Sequence, residues 1–278
     1  MYLHENKLDW NELTARTAQR YQLDQAFVIK DYFIYLALKE ITSINNAIVF
    51  KGGTSLSKCY NAISRFSEDV DLGIETEHAT ESQRKHIKAA VVEAVDRMGL
   101  KIANKEETRS RREFNKYILP LPSTGKEIQG VSIIIETAVM TPASPAVSKP
   151  VDSYIYRLCI EDGLTDIAEE YGLQPFFLMA NSLERTFVDK VFALCDYYLS
   201  ESIPPRQSRH IYDLYKLSTM ITFNSELADL FRTVRKQRKN GYRCFSADEK
   251  INLSMTLIRI SVEHPYRVDY EKLTVPLL

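Results

Sequence analysis

The chain has 278 residues, 45% apolar and 26% charged, which allows a sizeable core and excludes a fibrous or disordered chain. Lysine and arginine number 36 against 37 acids, a net charge of −1, so bulk charge cannot hold a polyanion and any nucleic-acid contact needs a local basic patch. Cys59, Cys159, Cys195 and Cys244 stand far apart with no C-x-x-C pair, which argues against a zinc site or disulfide framework and fits a reducing cytoplasm. The polar first ten residues lack the apolar centre of a signal peptide, and no stretch approaches about 18 uninterrupted apolar residues, so no membrane span is expected.

Residues 10–44 read as two helices, with Phe27, Tyr32, Phe33, Tyr35, Leu36 and Leu38 close to helical spacing. Residues 47–50 form a short strand that runs into Lys51-Gly52-Gly53, a tight turn, and then a helix from near Thr54. Residues 70–74 are a second β-like run. Residues 82–98 form an amphipathic helix closed by Gly99. Three β-like runs follow at 101–103, 114–119 and 131–139, the last with Val131, Ile133, Ile134 and Ile135 ahead of Glu136. Residues 141–150, rich in Pro, Ser and Ala, read as a surface loop or interdomain connection. Four helices are then expected, at 181–199, 209–219, 225–239 and 247–263. The chain thus divides near residue 150 into a mixed α/β half, 1–150, and a mainly helical half, 151–278.

Two features of the first half carry chemistry. Gly52 and Gly53 lack Cβ, so the backbone there can turn sharply and approach a phosphate. Thr54 or Ser55 could cap the following helix and offer a hydroxyl. Asp69 and Asp71 lie two apart on a strand, so both side chains point to one face. Held that close they repel, by roughly 1–4 kcal/mol at partial solvation, and a divalent cation turns the repulsion into attraction. Either feature alone is ordinary: most Gly-Gly pairs are turns and most D-x-D strands are solvated. The order strand, Gly-Gly-Thr, helix, D-x-D strand is specific.

That order resembles the DNA polymerase beta-like nucleotidyltransferase superfamily. The strings Phe50-Lys51-Gly52-Gly53-Thr54-Ser55-Leu56 and Arg65-Phe66-Ser67-Glu68-Asp69-Val70-Asp71-Leu72 look like one branch of it, the AbiEii/AbiGii-type nucleotidyltransferase toxins of bacterial toxin–antitoxin and phage-defence systems. The resemblance implies an α/β (α+β) nucleotidyltransferase core, a mixed sheet flanked by helices, with a helical C-terminal domain that completes the active site. It implies Mg²⁺ on Asp69 and Asp71, a triphosphate held by Gly52, Gly53, Thr54 and Ser55, a tRNA-like acceptor and a cognate antitoxin. Glu136 is the candidate third carboxylate, for metal or proton; the alternative is a glutamate at a strand end in water. In the second half, Leu183-Glu184-Arg185-Thr186-Phe187-Val188-Asp189-Lys190 and the later Arg209-His210-Ile211-Tyr212-Asp213-Leu214 match the family's helix lysine and its Arg-x-x-x-Asp-Leu segment. The resemblance therefore makes Lys190 and Asp213 active-site residues. Without it, Lys190 reads as a solvated lysine and Asp213 as the partner of Arg209 four residues earlier.

Two basic clusters, Arg232, Arg235, Lys236, Arg238, Lys239 and Arg243, and Arg109, Arg111, Arg112 and Lys116, could contact an RNA acceptor or simply complement helix ends. A phosphate on Ser67 would place negative charge beside the carboxylates and disrupt binding of a metal–triphosphate. The histidines show no metal spacing, and G-x-G-x-x-G, Walker A and nucleophile-elbow motifs are absent. The rival readings are a small-molecule or protein nucleotidyltransferase and a non-catalytic NTP-binding regulator on the same fold.

Overall fold

The computed structural model describes residues 1–65, 67, 69–108, 113–122, 131–200, 203–239 and 241–278. Its frame is a six-stranded mixed sheet of β1 (Ile48–Lys51), β2 (Asp69–Ile74), β3 (Phe114–Pro120), β4 (Ser132–Ala138), β5 (Ala146–Val151) and β6 (Phe176–Asn181), in the order β3-β4-β2-β1-β6-β5. Pairs β2–β4 and β1–β6 are parallel; β1–β2, β3–β4 and β5–β6 are antiparallel. The alternation in β4 decides its orientation: Ile133, Ile135 and Thr137 are buried, and Ile134 and Glu136 face the more open side. In β2, Val70 and Leu72 are buried while Asp69 and Asp71 take the open face.

The buried face is covered by α2 (Gln25–Ile44) and α4 (Glu81–Arg97), with α1 (Lys7–Tyr21) outside α2. Phe33 to Leu38 of α2 are buried without a break, so this stretch of the helix is apolar on every side and runs through the centre of the core. A capping box of Thr80 and Gln83 starts α4, and Gly99, at φ +67°, ends it. After β5 come α5 (Tyr154–Glu161) and α6 (Thr165–Glu170); after β6 come α7 (Leu183–Leu199), α8 (Arg209–Ser218), α9 (Ser225–Arg238) and α10 (Leu253–Glu263). These later helices share a second core with α3 (Gly52–Lys58): Leu56, Ala62 and Ile63 pack with Phe187, Val188, Val191, Phe192, Tyr212 and Val234. The helix that follows the Gly-Gly turn is therefore the seam between sheet and helices.

Three expectations need correction. Residues 101–103 are not a strand; a single bond, Ala103 N–H to Ile118 carbonyl at 2.9 Å, ties them to β3. Residues 141–150 are not all loop, because Ala146–Val151 is a sheet edge, where Lys149 and Pro150 are tolerated and discourage further pairing. Residues 176–180, unassigned from sequence, and Asn181, expected to open a helix, form β6, an inner strand beside β1. The division near residue 150 falls inside β5, so the sheet draws strands from both sides of it.

Candidate active site

Strand register builds the first part of the site. Lys51 lies opposite Asp71, Asp71 opposite Glu136, and Glu136 opposite Lys116, so one row across four strands reads plus, minus, minus, plus. Asp69 lies two residues along β2 on the same face. Lys116 Nζ stands 3.4 Å from Glu136 Oε1, and Lys51 Nζ donates to the Ala138 carbonyl at 3.1 Å. Burial pushes the Asp71 carboxyl up to about 7; the charges of Glu136 and Asp69 add to this, and Lys51 and Lys190 oppose it. Burial likewise pushes the Lys51 ammonium down, with Asp71 opposing.

Among the described residues no three carboxylate, imidazole or thiol groups gather closely enough to hold an ion together. Mg²⁺ does not require that. It is commonly held by one or two carboxylates with water and substrate phosphates completing an all-oxygen shell. Asp69 and Asp71 fit this demand; Glu136 is engaged by Lys116.

The glycines serve neighbours of the site directly. Gly52 has φ +77°, and a Cβ there would lie 1.9 Å from Asp71 Oδ2. A Cβ on Gly53 would lie 2.7 Å from Arg65 Nη2 and 3.0 Å from Ser67 Oγ. The two missing side chains thus make room for a carboxylate and a guanidinium. The helix begins at Gly52, two residues before the expected start, so Thr54 and Ser55 lie within its first turn and do not cap it. They are 2% and 0% exposed. Thr54 Oγ1 donates to the Asp69 carbonyl (2.5 Å) and accepts from Ser67 Oγ (2.9 Å), and Ser55 Oγ donates to the Gly52 carbonyl (2.8 Å). The Thr54 hydroxyl fastens α3 to the D-x-D strand, and the Ser55 hydroxyl closes the first turn of α3 on itself.

The second part is a buried ion cluster. Asp213 accepts two bonds from Arg65, Nε to Oδ1 at 2.7 Å and Nη2 to Oδ2 at 2.6 Å, and pairs with Lys190 Nζ at 2.6 Å. The side chains of Arg65, Asp213 and Lys190 are 2%, 0% and 7% exposed. Asp213 therefore does not take Arg209, the partner that helix spacing offered; two cations from other elements hold it. Burial alone would raise the Asp213 carboxyl, but Lys190 and Arg65 outweigh it and hold the group below the usual carboxylate range. Burial pushes the Lys190 ammonium down, against Asp213, and Arg65 adds to the push. One carboxylate thus holds two buried cations from different elements in one cluster. Arg209, half-buried, lies close enough to Asp69 and Arg65 to feel both charges.

Sequence reasoning missed two participants, Arg65 and Lys51. The available signal for Arg65 was the need of a buried Asp213 for a charged partner, but that partner is 148 residues away in the chain. The α9 basic cluster is largely occupied: Arg238 pairs with Asp196 at 2.7 Å and lies over the Phe192 ring, Arg235 donates to the Ile251 carbonyl at 3.1 Å, Lys239 pairs with Glu249 and Arg232 with Asp229. Lys236 and Arg243 are exposed. Arg109, Arg111 and Arg112, like Phe66 and Glu68, lie outside the described residues. No helix is long and apolar enough to cross a membrane among those described.

Comparison with known proteins supplies the context. The family model for the nucleotidyl transferase AbiEii toxin, type IV toxin–antitoxin system, matches residues 37–277. Among solved structures the chain is similar to MenT4, a nucleotidyltransferase toxin from Mycobacterium tuberculosis H37Rv, with a TM-score of 0.53 at 19% identity, over 82% of this chain and 72% of that one. It is also similar to JHP933 from Helicobacter pylori, at 15% identity and a TM-score of 0.41, over 91% and 95% of the two chains. No curated protein sequence matches. The likeness to MenT4 shows the fold, and the family match runs through both the carboxylate row and the Arg65–Asp213–Lys190 cluster: the chain belongs to the AbiEii family of nucleotidyl transferase toxins of type IV toxin–antitoxin systems.

Proposed function

We propose that the protein transfers a nucleoside monophosphate from an NTP to an acceptor hydroxyl, with a tRNA as the acceptor, in a Mg²⁺-dependent reaction. The observation that supports this best is the pairing of two features: a strand face bearing Asp69 and Asp71, and a cluster in which Asp213 holds Lys190 and Arg65. Mg²⁺ bound by Asp69 and Asp71 would neutralise triphosphate charge and align the reacting oxygens. Lys190, held by Asp213, is a fixed point charge for the triphosphate. Backbone N–H groups at the Gly53–Thr54 turn, unsatisfied within α3, offer further phosphate contacts. In this reading the inward-turned Thr54 and Ser55 hydroxyls shape the turn that meets the triphosphate.

The acceptor oxygen attacks the α-phosphorus in line. A new O–P bond forms, the bond to the bridging oxygen breaks, and pyrophosphate leaves with that electron pair. The proton of the acceptor passes to a carboxylate of the row, for which Glu136 stands nearest Asp71 in register. A cognate antitoxin follows from the family.

The test is incubation with Mg²⁺, total RNA and each α-³²P-labelled NTP, with Asp69→Ala in parallel. Label on a tRNA-sized band, lost in the variant and on chelation, is the expected result and names the base. Label on protein or small molecules alone would replace the acceptor; measurable NTP binding with no transfer to anything would replace the reaction.

A further inference from the structure

Three of the later helices start in the same way. Ser182, Asn224 and Asn252 each accept an N–H from their own first turn, at α7, α9 and α10. The exception is α8, the helix that carries Arg209, His210 and Asp213, which has no side-chain cap of its own. Ser208, at its cap position, already has helical angles, and its hydroxyl bonds to Thr274 Oγ1 at 2.7 Å in a buried contact. Just before it, Arg206 is left-handed at φ +69°, a conformation that costs a non-glycine residue energy and persists only where surroundings impose it.

Asp269 imposes it. Its Oδ1 accepts the Arg206 N–H at 2.7 Å and its Oδ2 the Ser208 N–H at 3.0 Å, across 61 residues in the second case. The segment that bears it, Arg267–Asp269 and the π-helical turn Tyr270–Thr274, is seated on α7 by the Tyr266 hydroxyl, which donates to the Leu194 carbonyl at 2.7 Å. The carboxylate also complements the positive end of the α8 dipole. Burial would raise its carboxyl, but the bonds from Ser208 and Arg206 and the nearby Arg209 charge outweigh burial and keep it low.

We propose that Asp269 is a positioning residue for the active site: it fixes where α8 begins, and so where Asp213 stands to hold Lys190 and Arg65. Asp213 is little more than one turn from that start, so a slip of the helix end is passed to it almost undiminished. The inference rests on the nucleotidyl-transfer reading for its binding measurement.

The test measures binding of α,β-methylene analogues of the four NTPs with Mg²⁺ to the full chain, beside melting temperature and amide hydrogen exchange. Asp269→Ala is expected to weaken analogue binding tenfold or more and to speed exchange over residues 206–213. Asp269→Asn, which keeps one acceptor oxygen, should lose less. Val91→Ala opens a cavity under α4, on the far face of the sheet from α8; it should lower the melting temperature while leaving analogue affinity unchanged. Binding by Asp269→Ala within twofold of the unaltered protein would overturn the proposal, as would affinity that falls in step with melting temperature in both variants. If the unaltered protein binds no analogue, the nucleotidyl-transfer reading fails and takes this inference with it.

Discussion

The strand face and the helix cluster place charge by opposite means. On the sheet, Asp69 and Asp71 are held by backbone register, so they stand close without any side-chain partner to force them together. Between the helices, Arg65, Asp213 and Lys190 hold one another, and removal of one member unseats the rest. A sheet can therefore store electrostatic repulsion that a ligand relieves, whereas a helix interface needs its charges settled before it packs. Function and stability should separate accordingly.

The sharpest test of that contrast pairs Asp213→Ala with Asp69→Ala. Asp213→Ala removes the buried carboxylate that pairs with both Arg65 and Lys190 and is expected to cost about 3–5 kcal/mol, with loss of transfer. Asp69→Ala should abolish transfer with little change in the urea midpoint. Equal destabilisation by both would erase the distinction. Next in size is Gly53→Ala. Its Cβ would fall 2.7 Å from an Arg65 guanidinium fixed by Asp213, so the neighbour cannot yield, and about 1–3 kcal/mol of overpacking is expected in the same titration. A native midpoint would mean that the cluster is looser than its hydrogen bonds indicate.

Ser67→Glu probes the join between the two regions. Ser67 is buried against Thr54 and lies two residues before Asp69, so a carboxylate there should weaken binding of a Mg²⁺–NTP analogue several-fold; calorimetry showing native affinity would exclude any role for charge at this position. The smallest effect belongs to His210. Burial, with Lys190 adding, pushes its imidazole well below the usual value, against Asp213, and Arg209 and Arg65 also face it. The folded protein then binds fewer protons than the unfolded chain below about pH 6.5, so this group's contribution is intact above that pH and is lost as pH falls. His210→Gln should flatten the decline in stability below about pH 6.5; an unchanged slope would assign the decline to other groups.

What was readable in the sequence follows the same division. The strand face was legible because side chains alternate every two residues: Asp69 and Asp71 had to share a face, and the apolar run before Glu136 read as a strand. The helices were legible as helices from their spacing, yet their meeting was not, since Arg65 and Asp213 are local neighbours of nothing that hints at the other. Lys190 and Asp213 entered only through family resemblance. The glycines were read as a turn able to approach a phosphate; the structure adds that Asp71 and Arg65 side chains pack where their Cβ atoms would stand, which no local pattern shows. The edge strand β5 was hidden by its Pro and Ser content, and β6 by an apolar run too short to distinguish strand from buried helix.

The place of β6 in the sheet has a consequence for the birth of the molecule. The strand leading into the Gly-Gly turn has β2 for one neighbour soon after it is made, but waits for residues 176–181 to receive the other. Lys190 and Asp213 emerge from the ribosome later still, and the Asp269 carboxylate that starts α8 follows them. On the proposed reaction, a product interrupted before residue 176 carries the carboxylate row and Arg65 but lacks both the strand that completes the sheet beside β1 and the Lys190–Asp213 pair, so it is expected to be inactive.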